Sequence, residues 1–227
     1  DDNDISAGGT LARLSENGAE VIYLTVTDDL VGIIHDDWDA HEAVQQVKAE
    51  QERAGKIIGV KHQYRLDYPD AGDYSYFSLR REIIKYIRLL KPDLLFSLDP
   101  WMLYEAHNDH LLTARASAEA AILYTFTRLT SDLDVDADYQ PHPLQAVVFH
   151  NTSYPNTIVD IGSTLEKKNA ALRCYTAQFT ESDLEMLIAR TSLYARYLAR
   201  EESFEYGEAL KIMPPELLHG ISDAFRF

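Results

Sequence analysis

The sequence predicts an α/β protein with a mostly parallel sheet. Short β-branched and aromatic runs alternate with longer stretches of helical spacing. At 227 residues the chain has the length of one domain with a sizeable core. No internal repeat divides it, and no linker rich in Gly, Ser or Pro, so residues 1–227 read as a single domain.

The opening DDNDISAGGT reads as an acidic loop feeding a helix over 9–18, which stops at Gly18. VIYLTVT (21–27) is a strand expected to be buried on both faces. A helix follows over 39–60, with Ala43, Val47, Ala54, Ile57 and Ile58 at helical spacing. SLRREIIKYIRLLKP is a second amphipathic helix, ended by Pro92. DLLFSL (93–98) is a buried strand, and a long loop runs from it to Asp109. The Ala- and Leu-rich HLLTARASAEAAILYTF is a helix. An acidic surface loop occupies 130–143, and LQAVVFH and TIVDI are two further strands. The helices LEKKNAALRCYTAQF and ESDLEMLIARTSLYARYLAREE close the chain.

Composition narrows the partners. A net charge of −16 argues against nucleic acid and anionic membrane surfaces, both of which would repel the chain. One cysteine, Cys174, precludes an internal disulfide and suits a reducing, cytoplasmic location. No apolar run approaches the roughly 18 residues of a membrane span.

In open parallel sheets, ligands bind beyond the carboxyl ends of the strands. The loops expected there are DDNDISAG, TDDLVG and DPWMLYEAHND, and the first and third hold most of the chemically useful residues. His107, Asp109 and His110 fall within four residues at a helix entrance, an arrangement open to metal binding or, for Asp109, to helix capping. Zinc held by two histidines and a carboxylate, with water in the fourth position, is a hydrolytic arrangement. A second carboxylate beside it takes the proton from the water, and a histidine steadies the developing oxyanion. The chain offers Asp2 and His110 as ligands and leaves one imidazole to be found.

These residues resemble the PIG-L/LmbE family of zinc-dependent sugar N-deacetylases. DDNDISAGGTLARLSENGAEVIYLTVTD is similar to the family's first motif without its His-Pro, and DPWMLYEAHNDHLLTARASAEAA to its second. PNTIVDI, TAQF and MPPELLH resemble the diacetylchitobiose deacetylase branch.

The resemblance implies a Rossmann-like three-layer fold whose first strand, with a His-Pro pair, immediately precedes Asp1. That histidine is then the third zinc ligand beside Asp2 and His110. Asp1 is implied as the general base, His107 as the group that stabilises the oxyanion or protonates the amine, and Asp109 as the carboxylate that orients a ligand histidine. Asp70 is implied as a sugar contact, and His219 as a residue reaching a neighbouring subunit's site in a homo-oligomer. Trp101 is a further candidate sugar contact.

Lys48 and Gln51 stand where the family usually carries Arg and Glu. Lysine lacks the forked hydrogen bonding of arginine, so substrate contact at Lys48 is expected to differ. The expected activity is removal of an N-acetyl group from an N-acetylglucosamine-type sugar or chito-disaccharide. The competing readings are an amidase on a thiol-linked glucosaminide and a sugar-binding protein without metal.

Overall fold

The computed structural model describes residues 1–227, which fall into two units. One joins Asp1–Gly72 to Ile158–Glu208, and the other joins Asp73–Thr157 to Ala209–Phe227. No helix is long and apolar enough to cross a membrane.

The first unit begins with α1 (Asp2–Glu16), so the expected loop before Gly9 is already helical. Asp2 and Asp4 lie in its first turn, where the positive end of the helix favours carboxylates. Its glycines serve close approach instead of a turn. A Cβ on Gly9 would lie 2.8 Å from the side chain of Ile161, which is fully buried and has nowhere to go. Gly9→Ala should therefore lower stability by about 1 kcal/mol, because overpacking of about 1–3 kcal/mol exceeds the roughly 1 kcal/mol of helix propensity that alanine adds. A lower urea midpoint at unchanged m-value would show it.

Strand β1 (Val21–Thr27), helix α2 (Ala40–Ile58) and strand β2 (Val60–Tyr68) form a parallel βαβ unit. Asp39 caps α2 by accepting a hydrogen bond from the Glu42 N–H at 2.9 Å. Gly59 ends it at φ 97°, a left-handed conformation that glycine adopts without strain. The apolar positions Ala43, Val47, Ala54 and Ile58 are buried as their spacing predicts. Only Val21 and Tyr23 of β1 are fully buried, so this strand is less enclosed than expected. Beyond β5 (Thr157–Asp160), α6 (Leu165–Leu172) stops well short of its expected end. The buried Glu50 carboxylate captures the Thr176 hydroxyl at 2.6 Å and the Ala177 N–H at 3.0 Å, holding that stretch out of the helix. Helix α7 (Glu181–Leu198) starts at a reciprocal capping box between Thr180 and Asp183.

In the second unit, α3 (Tyr76–Leu90) packs on α4 (Asn108–Leu123). Strands β3 (Leu94–Leu98) and β4 (Ala146–His150) run parallel. The unanticipated β6 (Gly207–Met213) pairs antiparallel with β4, from Val147↔Met213 to Phe149↔Lys211. The α/β class holds, but the sheet is mixed, so the expectation of parallel strands holds only in part. The acidic segment 130–143, expected to be loop, contains a short helix α5 (Leu133–Asp138). Its Asp136 meets the buried Arg88 at 2.6 Å, and Arg88 also donates to the backbone oxygens of Tyr124 and Phe126. One guanidinium thus satisfies carbonyls just beyond α4 that would otherwise lack donors.

Candidate catalytic and metal-binding residues

In the first unit the acidic pair stands at the start of α1. Asp1 is the N-cap residue and Asp2 the first residue of the helix. Below them Asp4, 1% exposed, accepts hydrogen bonds from the hydroxyls of Tyr23 (2.6 Å) and Tyr175. Burial and the Asp4 carboxylate push both tyrosine hydroxyls well above their usual pKa, so they remain donors. The middle of the helix is held by Glu208, whose carboxylate accepts from the Gly9 and Thr10 N–H groups at 3.0 and 2.7 Å and from Lys168 Nζ at 2.7 Å. The backbone carrying Asp1 and Asp2 is therefore fixed from several sides.

Asp70 lies in the loop after β2. Its carboxylate accepts from the Val31 N–H at 2.9 Å, and its own N–H donates to Asp28 Oδ1 at 3.1 Å. The loops after β1 and β2 are knitted together in this way. Arg65 on β2 reinforces them, donating to Asp67 (3.0 Å), to the Thr27 carbonyl (2.9 Å) and to Gln51 Oε1 (2.5 Å). Burial raises the pKa of the nearby Asp29 carboxyl, opposed by Arg65 at 3.3 Å. Lys48 Nζ lies 3.6 Å from Asp67, and Gln51 donates to Thr25 Oγ1 at 2.6 Å. The two departures from the family pattern are thus tied into the network around Arg65.

In the second unit His107, Asp109 and His110 sit at the start of α4. His107 is the N-cap, without a side-chain capping bond, so Asp109 is not the cap residue considered from the sequence. The rings of His107 and His110 stack with centroids 4.6 Å apart. A His107 ring nitrogen and an Asp109 carboxylate oxygen lie within 4.8 Å of each other. Asp109 is buried and accepts from the Tyr74 hydroxyl at 2.9 Å.

The carboxylate against Nδ1 of His110, at 3.3 Å, is Glu105, which also accepts from the His107 N–H at 2.6 Å. Burial pushes the Glu105 carboxyl up, but the N–H of His107 and the His110 ring outweigh it and hold the group below its ordinary value. Neither Glu105 nor Tyr74 was singled out from the sequence. Glu105 was visible as the acid in YEAHNDH, and only folding shows which imidazole it meets.

Trp101 is 55% exposed and meets Phe149 edge-on at 5.9 Å. His219 follows a short 3₁₀ helix (Pro215–Leu218) and is exposed.

The family model described as PIG-L, GlcNAc-PI de-N-acetylase, matches residues 1–121, more than half of the chain. The chain belongs to the PIG-L family.

Among PIG-L relatives, a diacetylchitobiose deacetylase of Thermococcus kodakarensis is 34% identical over 222 residues, 96% of this chain and 82% of that one. A deacetylase of Mycobacteroides abscessus acting on 1D-myo-inositol 2-acetamido-2-deoxy-alpha-D-glucopyranoside is 25% identical, covering 90% of this chain and 87% of its own. The solved N,N′-diacetylchitobiose deacetylase of Pyrococcus horikoshii superposes with a TM-score of 0.89 at 31% identity, covering 98% of this chain and 84% of that one.

The side chains of this PIG-L protein fit a divalent metal. Glu105 lies 3.3 Å from Nδ1 of His110, and an imidazole with a carboxylate beside it is a common metal ligand. Asp109 adds a carboxylate close to the His107 ring, and imidazole with carboxylate is a donor set that divalent ions accept.

Proposed function

We propose that this chain is a zinc-dependent N-deacetylase that hydrolyses the N-acetyl group of an N-acetylglucosamine-type sugar or chito-disaccharide, releasing acetate and a free amine. The observation that carries this reading is 34% identity, over 96% of the chain, to a diacetylchitobiose deacetylase.

Asp2 and His110 belong to the zinc-binding set. Zinc, when bound, polarises the acetyl carbonyl and acidifies a water molecule. Asp1 takes the proton from the attacking water. His107 donates to the oxygen on which negative charge develops, or passes its proton to the departing amine. Glu105, through Nδ1 of His110, fixes the tautomer of that ring, and Asp109 orients the histidine pair from its buried position. Asp70 and Lys48 contact the sugar, with Asp70 held in place by Asp28 and Val31. The reading extends to a cytoplasmic homo-oligomer in which His219 reaches a neighbouring copy's site. Light scattering that returned a monomer would remove that last element.

The test is acetate release from N,N′-diacetylchitobiose. Activity should disappear on exhaustive chelation and return with added zinc. Turnover that survives chelation would rule out the metal role, and no turnover with zinc restored would rule out this substrate.

A further inference from the structure

The second unit carries a cleft that the chemistry above leaves unused. It encloses about 520 Å³, within the usual range of small-molecule sites. Trp101, Ile122 and Leu218 line its apolar side, and Tyr76, Arg115 and Glu119 its polar side.

Arg115, Glu119 and Ile122 recur at helical spacing and share one face of α4. At 3.6 residues per turn, Arg115 points about 140° away from His110 around the helix axis. The cleft and the histidine pair therefore lie on different faces of α4.

The lining has the mixture of groups that a sugar needs. Trp101 is held by its backbone N–H, which donates to Asp99 Oδ1 (2.8 Å), and by its edge contact with Phe149, leaving over half of the residue exposed. Glu119 accepts from Arg80 at 2.8 Å and from the Tyr76 hydroxyl, and each carboxylate oxygen keeps a second acceptor direction. Burial and the bond to Glu119 push Tyr76 up to about 12, so its hydroxyl stays protonated. Arg115 adds a guanidinium donor.

An anionic ligand would meet the Glu119 carboxylate, and a cationic one would meet Arg115. A neutral ring with hydroxyls on its edge and an apolar C–H face meets a complement for every group.

We infer that this cleft binds a neutral pyranose unit, with its face on Trp101 and its hydroxyls on Arg115 and Glu119. It is a subsite for a sugar other than the one being deacetylated. Only the choice of N-acetylglucosamine oligomers as ligand rests on the deacetylase reading; the sugar class rests on the lining.

The test uses the full chain, chelated so that no turnover occurs, with Trp38→Phe leaving Trp101 as the single tryptophan. Titration with N,N′,N″-triacetylchitotriose should give a saturable change in Trp101 fluorescence. Arg115→Met and Glu119→Gln should each weaken it about tenfold, the scale of one lost charged hydrogen bond, with unchanged far-UV circular dichroism. Two substitutions guard against misfolding of either one. No saturable change up to the solubility limit of the sugar overturns the inference, and so does binding that both variants leave intact. Because no acetate is measured, this result is separate from the fate of the deacetylase reading.

Discussion

Asp1→Asn should lower kcat by about 10²–10⁴-fold while zinc content stays at the wild-type level, the range expected when a general base is removed. Asparagine keeps the shape and hydrogen-bonding reach of the aspartate but cannot take up a proton. The N-cap position tolerates either residue, so the helix start should survive the exchange. The result separates the roles of adjacent carboxylates. Asp2→Asn should reduce metal occupancy together with activity, whereas Asp1→Asn should reduce activity alone. Metal analysis beside steady-state kinetics reads both. An Asp1→Asn protein that holds zinc and works at the normal rate would remove Asp1 from the chemistry.

The largest effect on stability is expected at Glu208. Its side chain and that of Lys168 are 3% and 4% exposed, and the same carboxylate accepts two N–H groups from α1. Glu208→Ala leaves a buried ammonium without its partner and takes the carboxylate away from two N–H groups of α1. A loss of about 3–5 kcal/mol follows, the usual cost of breaking a buried ion pair by removing one partner. Lys168→Met in the same background should recover part of it, since the stranded charge is then gone although the contacts of the carboxylate with α1 stay lost. Urea unfolding followed by circular dichroism gives both values. A single-substitution loss below about 1 kcal/mol would show that water replaces the carboxylate.

The elements legible in the sequence are those that composition or spacing marks, even where the strands are less buried than expected. Strands β1, β3 and β4 are short apolar runs, α2 shows helical spacing and α4 is rich in alanine and leucine, so each falls close to its expected place. β2 was missed because VKHQYRLDY alternates charged and polar residues, and much of it is half-exposed. β6 was missed because it carries Glu208 and Lys211, charges that become buried only against partners far away in the chain. The first turns of α1 looked like loop because the helix tolerates Gly8 and Gly9 for packing, which local propensity does not register.

At the site, His107, Asp109 and His110 were visible as one cluster. The contacts that set them, Glu105 on His110 and Tyr74 on Asp109, were not. The two tyrosines on Asp4 show why: Tyr175 lies 171 residues away in sequence, and no spacing rule reaches that far.

The order in which the ribosome delivers these parts has its own consequence. Residues 73–157 emerge between the two halves of the first unit, so the acidic helix end appears first and its anchors much later. Until Lys168 and Glu208 leave the exit tunnel, the N–H groups of Gly9 and Thr10 have no carboxylate to meet. A nascent chain arrested before Glu208 should be cut readily by protease within its first helix, and release of the finished chain should close that window.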